Sequence, residues 1–404
     1  MQKGVHVRDS DKVNGIARAD ASIRPFRIDV PQADLDDLVD RLHRTRWTDE
    51  YEGVGWDYGT NLGYMKELAK YWQHGYDWRQ QEAHLNSFPH YTAELAGEAL
   101  TFIHVRGTGP NPTPLLLLHG WPDSICRYLK LIPLLTDPAG HGRDPGVGFD
   151  VVVPWLIGRY IGGTGAPRPQ LFAHIAEQLW TLMTRELGYA RFGAVGGDGG
   201  SVLAQLLGVS HPDQLTGIHL TDLGFSRAFG QFPDLSEAEQ RYFADQQAWG
   251  MREGAYAMVQ GTKPQTLAFA LNDSPVGFAA WIIEKFHGWS DCDGDLERVY
   301  TKDELLTNVM LYWLNGPTAR SVSYREEFTA PSLAPDQKVG IPSALAVPPK
   351  DPGAIPPREL PERYLTDLRR YTVLPRGGHF VAMEYPDVMA ADVRAFFAEL
   401  TTQG

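Results

Sequence analysis

AVGGDGGSVLAQLL, residues 194–207, is an apolar run, then an aspartate flanked by glycines, then an apolar stripe at helical spacing. It reads as a strand, a sharp turn and a helix whose Leu203, Leu206 and Leu207 share one face. Gly196, Gly197, Gly199 and Gly200 surround Asp198. Small residues are required there because a sharp strand-to-helix turn strains its central residue and brings neighbouring backbone close. The stretch has the form of a nucleophile elbow with a carboxylate in the nucleophile's place. An acid in a glycine-rich turn is, by itself, as readily a plain turn or a helix N-cap, so the rest of the chain must decide.

On both sides of the elbow lie short apolar runs: LTFIHVRG (100–107), TPLLLLHG (113–120), FDVVVPWL (149–156) and LTGIHLTDLG (215–224), with a clear helix over 171–187. Strands buried on both faces and separated by helices imply an α/β fold with a mostly parallel central sheet. The alternation lapses over 225–318, where EAEQRYFADQQAWGM, VGFAAWIIEKFHGW and DELLTNVMLYWLNG read as helices and form a helical lid. It resumes over 319–404 with KVGIPSALAVP, YTVLP and a closing amphipathic helix, PDVMAADVRAFFAEL. Residues 100–224 and 319–404 are thus two parts of one core. Residues 23–99 differ: Pro31 precedes a helix with Leu35, Leu38, Val39 and Leu42 as its apolar stripe, and Trp47, Trp56, Trp72 and Trp78 follow in loop-rich sequence, a meander wrapped on the core. Residues 1–22 read as a flexible N-terminus.

The bulk properties narrow the function. The chain has 404 residues, 43% hydrophobic and 22% charged, which suits a large core plus an insertion. Its 50 acidic against 37 basic residues, a formal charge of −13, oppose a nucleic-acid partner. Two cysteines, Cys126 and Cys292, are too few for a disulfide framework or a zinc site and fit structural thiols in a reducing cytoplasm. The first residues lack the apolar core of a signal peptide, and no apolar run is long enough to anchor the chain in a membrane. A cytoplasmic protein is expected, with no cofactor and no metal. The acidic stretch Asp291-Cys292-Asp293-Gly294-Asp295 has Lys302 where a calcium loop needs its last Glu, and reads as a solvated lid loop.

Three further segments complete a constellation. The strand LLLLHG leads into His119-Gly120-Trp121-Pro122-Asp123-Ser124, placed where an elbow fold supplies an oxyanion-hole N–H. The backbone N–H groups of Trp121 and Gly199 are the candidates, while the His119 side chain is expected only to hold the turn. Arg376-Gly377-Gly378-His379-Phe380 follows the last strand and precedes the last helix, which makes His379, last in chain order, the candidate base. Asp351, in Pro349-Lys350-Asp351-Pro352, follows the run IPSALAVP and so falls at a strand's C-terminal end, where a carboxylate can orient a later imidazole.

At these residues the chain resembles the epoxide hydrolases of the microsomal type, from about Ile23 to the C-terminus. The resemblance lies in the HGWP-containing loop at 119–124, the Gly-Gly-Asp turn at Asp198, the Gly-Gly-His-Phe segment ending in Met-Glu-x-Pro at 376–386, and two long lid segments, 254–286 and 305–328. It implies the α/β-hydrolase fold and an epoxide hydrolase that uses small hydrophobic epoxides, xenobiotic or from secondary metabolism, and water. By it, Asp198 would form an alkyl ester, His379 and Asp351 would hydrolyse that ester, and two lid tyrosines, Tyr256 and Tyr324, would donate hydrogen bonds to the epoxide oxygen. Tyr300 and Tyr312 compete for the latter role. The family usually has Trp after the nucleophile, where this chain has Gly199; a wider pocket and an altered substrate range are therefore expected. The alternatives are a haloalkane-type dehalogenase, for which Gly199 lacks the halide-binding ring, and a non-catalytic relative that only binds small molecules. An apolar patch on the meander could pair two copies as a homodimer.

Overall fold

The structure is a computed structural model and describes residues 23–144, 146–156, 171–224, 227, 232–316, 321–334 and 336–401. The expected flexible segment 1–22 lies outside them. Nine strands form one sheet: β1 (Ile23–Phe26), β2 (His90–Leu95), β3 (Glu98–Val105), β4 (Thr113–Leu118), β5 (Phe149–Pro154), β6 (Phe192–Gly196), β7 (Leu215–Leu220), β8 (Ser343–Val347) and β9 (Leu368–Val373). Their order is β1-β2-β3-β5-β4-β6-β7-β8-β9. The pairs from β5 through β9 are parallel, and β1, β2 and β3 add an antiparallel edge that joins at β5.

Alternation along the central strands explains why both faces are covered. Leu115 and Leu117 of β4 enter one apolar cluster, with Val151, Val153, Phe396 and Phe397, while Leu116 and Leu118 enter the other, with Val152, Leu179, Leu203 and Leu207. Successive side chains of a strand point to opposite faces, so helices are needed on both sides. Phe172–Thr181 and Gly199–Ser210 pack together over one face, and Leu131–Thr136 and Pro386–Thr401 over the other.

The N-terminal region is more regular than its loop-rich sequence suggests. It contributes β1, β2 and three helices, Gln32–His43, Leu62–His74 and Trp78–Leu85. Leu35, Leu38 and Leu42 are buried as the stripe predicts, whereas Val39 is exposed. The first two of these helices pack against the lid helix Pro275–Trp289. The region therefore braces the lid as well as extending the sheet. β2 is hard to read because polar His90, Thr92 and Glu94 punctuate it, and His90 and Thr92 are buried once β2 is paired between β1 and β3.

The lid helices are Glu237–Glu253, Ala255–Thr262, Pro264–Leu271, Pro275–Trp289, Lys302–Trp313 and Ser321–Thr329. The first and fifth open on capping boxes, Ser236 with Glu239 and Thr301 with Glu304, in which each side chain accepts from the other residue's backbone N–H. Ser321–Thr329 packs on Ala255–Thr262, so the helical block continues past residue 318, where the sequence reading closes it. Among the described residues no single helix is long and apolar enough to cross a membrane.

Candidate active site

The parallel half of the sheet sets the site. Trp121 follows β4, Asp198 follows β6, Asp222 follows β7, Asp351 follows β8 and His379 follows β9. These five strands are neighbours in that order, so their C-terminal ends bring the five residues to one rim, the usual place for ligands on an open α/β sheet.

Asp198 has φ 56° and ψ −127°, a backbone state that costs a non-glycine residue about 1–3 kcal/mol. Its neighbours hold it there. Its N–H donates to Asp222 Oδ2 at 2.7 Å, and Gly200 N–H donates to Gly197 O at 2.9 Å. A Cβ on Gly200 would lie 1.9 Å from Leu118 O, so the elbow can approach β4 only with glycine at that position. Asp198 Oδ1 accepts from Gly199 N–H at 2.6 Å and Trp121 N–H at 3.0 Å. Both expected N–H donors therefore converge on a single carboxylate oxygen. The other oxygen, Oδ2, stands 3.6 Å from His379 Nε2, an ion-pair distance rather than a hydrogen bond.

His379 Nδ1 and Asp351 Oδ1 are 2.8 Å apart, so Asp351 holds the ring with Nε2 turned to Asp198. Burial pushes the imidazole down, but the pull of Asp198 and the hydrogen bond to Asp351 outweigh it and lift the group from 6.5 to about 10. His379 is thus held as an imidazolium between two carboxylates.

Tyr256 and Tyr324 reach the same point from the lid. Tyr256 stacks on Trp121, with ring centroids 5.1 Å apart and planes 9° from parallel, and Tyr324 meets Trp121 edge-on at 6.1 Å. The two tyrosine rings are 6.2 Å apart and their hydroxyls interact. Burial first, and then the charge of Asp198, raises both phenols well above the ordinary value, so both keep their protons. The two competitors are engaged elsewhere. The Tyr312 hydroxyl donates to Asp123 O at 2.7 Å, and the Tyr300 hydroxyl is 2.8 Å from Ser290 Oγ.

His119 is fully buried, with Nε2 accepting from Leu156 N–H at 3.1 Å and Nδ1 3.1 Å from Gly120 O. It holds the turn. Beneath that turn the buried pair Asp123 and Arg127 adds support, with Asp123 Oδ1 accepting from Gly120 N–H at 3.0 Å and Oδ2 from Arg127 Nε. The space beside Gly199 is occupied: a Cβ there would be 3.2 Å from Cζ of Phe172, a ring carried by the neighbouring helix. Cys126 and Cys292 are buried free thiols. In the acidic lid loop Asp293 pairs with Arg298 at 2.6 Å and Asp295 caps the short helix Leu296–Arg298.

The sequence reading missed Asp222. It faces the cavity that Asp198, Asp351, His379, Tyr256 and Trp289 also line. Burial, then the charges of Asp351 and Asp198, pushes its carboxyl up from 3.8 to about 6. The available signal was its place at the end of LTGIHLTDLG, a strand terminus equivalent to that of Asp351. Such an arrangement offers a free carboxylate oxygen, a charged imidazole beside it, two N–H groups on the other oxygen and two phenol donors opposite.

Comparison with known proteins identifies the family. Residues 23–128 match the family model described as epoxide hydrolase N terminus. The chain is 40% identical over 381 residues to a Stigmatella aurantiaca protein named for epoxide hydrolase activity, covering 94% of this chain and 85% of that one. It is 34% identical to epoxide hydrolase 1 of Oryctolagus cuniculus, covering 93% and 89%. The crystal structure of juvenile hormone epoxide hydrolase from the silkworm Bombyx mori superposes with a TM-score of 0.83 at 27% identity, covering 95% of this chain and 96% of that one. The chain therefore belongs to the epoxide hydrolases, enzymes of the α/β-hydrolase fold.

Proposed function

We propose that the protein converts small hydrophobic epoxides to vicinal diols through an ester on Asp198. The observation that carries this reading is the division of labour within one carboxylate: Oδ1 is held by Trp121 and Gly199 N–H, which leaves Oδ2 as the attacking atom. An epoxide carbon is saturated, so Oδ2 opens it by backside displacement, and Tyr256 or Tyr324 gives a proton to the departing ring oxygen. Oδ1 then becomes the ester carbonyl oxygen, already seated between its donors.

Alkylation also switches His379. The imidazole is protonated while Asp198 and Asp351 are both charged. Once Asp198 is an ester, one of those charges is gone, the imidazole becomes less basic and it releases its proton to solvent, from which it takes one back when Asp198 is again ionised. His379 can then take a proton from water, which adds to the ester carbonyl while Trp121 and Gly199 N–H stabilise the oxyanion. Collapse passes the proton from His379 to the leaving diol oxygen and frees Asp198. The second proton of the water returns to the tyrosinate through solvent.

A halide leaving group would need an N–H donor beside the nucleophile. Gly199 has no side chain and Phe172 offers only carbon there, which favours the oxygen leaving group. The test is a single turnover of styrene oxide in H₂¹⁸O with enzyme in excess, followed by mass analysis of the peptide carrying Asp198. Diol with heavy oxygen in that carboxylate is expected; diol with no label at Asp198 would mean direct attack by water. We also expect two copies to pair through the N-terminal region, where Trp47, Tyr51 and Tyr58 are exposed. A monomer in sedimentation equilibrium at micromolar concentration would end that idea.

A further inference from the structure

The segment that carries His379 lies outside regular secondary structure, so its backbone N–H groups need partners from elsewhere. All four, from 377 to 380, have them. Gly377 N–H donates to Asp291 Oδ2 at 3.0 Å, Gly378 N–H to Glu384 Oε2 at 3.0 Å, His379 N–H to Trp289 O at 2.7 Å, and Phe380 N–H to Glu384 Oε1 at 3.0 Å. Two of the four acceptors belong to the lid, at the end of the helix Pro275–Trp289. Glu384 reaches the lid as well, because its Oε2 also accepts from Asp291 N–H at 2.8 Å. The Tyr385 hydroxyl donates to Asp291 O at 3.2 Å.

The contact is direct. A Cβ on Gly378 would come within 2.3 Å of Trp289 O, and the Trp289 ring lies 5.2 Å from the imidazole, edge to face. Glu384 is buried, and burial pushes its carboxyl up to about 7 in spite of three N–H donors. A residue needed only to fill space would be apolar there, since an ionisable group costs free energy to bury. Neither Glu384 nor Asp291 is among the described residues that line the cavity.

We propose that Glu384 and Asp291 are positioning residues for the hydrolytic half of the reaction, tying the backbone around His379 to the lid so that the imidazole stays fixed between Asp351 and Asp198. The proposal rests on the ester mechanism above. Alkylation needs Asp198 and the tyrosines, whereas hydrolysis needs His379. A loosened His379 segment therefore slows only the second step, and the ester accumulates. In Glu384→Gln the amide nitrogen must face backbone N–H groups, and in Asp291→Ala the acceptor for Gly377 N–H is gone. Misplacing a reacting group by about 1 Å can cost on the order of 10²-fold.

The experiment compares the full-length wild type, Glu384→Gln, Asp291→Ala and His379→Gln, each mixed rapidly with styrene oxide, quenched and weighed intact, with thermal unfolding in parallel. Both positioning variants should alkylate at the wild-type rate and hydrolyse the ester roughly 10- to 100-fold more slowly, showing a protein mass raised by one substrate. Unchanged hydrolysis, or equal slowing of both steps together with a lower melting temperature, overturns the inference. Asp291 is half-exposed, so Asp291→Ala decides the matter if Glu384→Gln does not fold. His379→Gln separates the two levels: if even that variant accumulates no ester, the ester mechanism itself fails and this inference falls with it.

Discussion

Tyr256 and Tyr324 offer two donors for one oxygen, and burial keeps both protonated through the neutral and mildly alkaline range. Loss of one phenol leaves the other, so Tyr256→Phe and Tyr324→Phe should each slow single-turnover alkylation by about 10- to 100-fold. The double variant should approach the full loss of a positioned acid, about 10²- to 10⁴-fold. Ester hydrolysis, which needs no phenol, should change little in either. A single variant that alkylates at the wild-type rate would remove that tyrosine from the chemistry. Which residues were legible follows from what they depend on. Asp198 and His379 announce themselves because the elbow demands its own glycines and the base comes last in the chain, so each signal is local. Asp222 and Glu384 work through backbone N–H groups of segments brought to them by the fold, and no pattern around either residue records that.

The elbow and the helix beside it carry a test of how the space next to Gly199 is filled. Sequence alone suggests empty space at Gly199; the helix Phe172–Thr181 puts Phe172 there instead. Gly199→Trp must push that ring aside, and overpacking of this kind typically destabilises by about 1–3 kcal/mol. Combining it with Phe172→Ala should recover most of the loss, a coupling that urea unfolding of the two single variants and the double variant would measure. Additive losses would mean that the two sites do not share space. The strands β4 to β8 were readable because each is a short apolar run bounded by turns, whereas only the YTV end of β9 stands out beside Arg369 and Arg370. The helices Leu62–His74 and Trp78–Leu85 were not readable, since they pack on lid helices that are distant in sequence, and β2 was not, because polar residues interrupt it. The helix past residue 318 was not legible for a similar reason: Ser321–Thr329 has a weak stripe of its own, and it is its packing on Ala255–Thr262 that places it.

For the whole molecule, the ionised site makes stability depend on pH in a direction that can be worked out. His379 is raised from 6.5 to about 10, so its pairing stabilises the fold fully below pH 6.5 and that stabilisation is lost as pH climbs through 10. Asp222 and Glu384 are also raised, to about 6 and about 7; the contribution of Asp222 is largely lost by neutral pH, and that of Glu384 is lost as pH rises through 7. His104, lowered by burial to about 4, acts the other way: it favours the fold above 6.5 and works against it in acid. Asp392, held low by His219 and Arg370 against the effect of burial, likewise loses its contribution only in acid. The buried tyrosines, raised above 10, begin to matter only beyond that pH. Between about pH 8 and 9, then, the groups with shifted values leave His379 as the main source of slope, at most about 1.4 kcal/mol per pH unit for one proton, before the buried thiols Cys126 and Cys292, raised from 9.0, add theirs. Urea midpoints of the wild type should fall steadily over that window, while those of His379→Gln should stay nearly level. A level wild-type curve would mean that the imidazole is neutral in the resting enzyme, and that Asp198 is not attacking from an ion pair that its own alkylation dissolves.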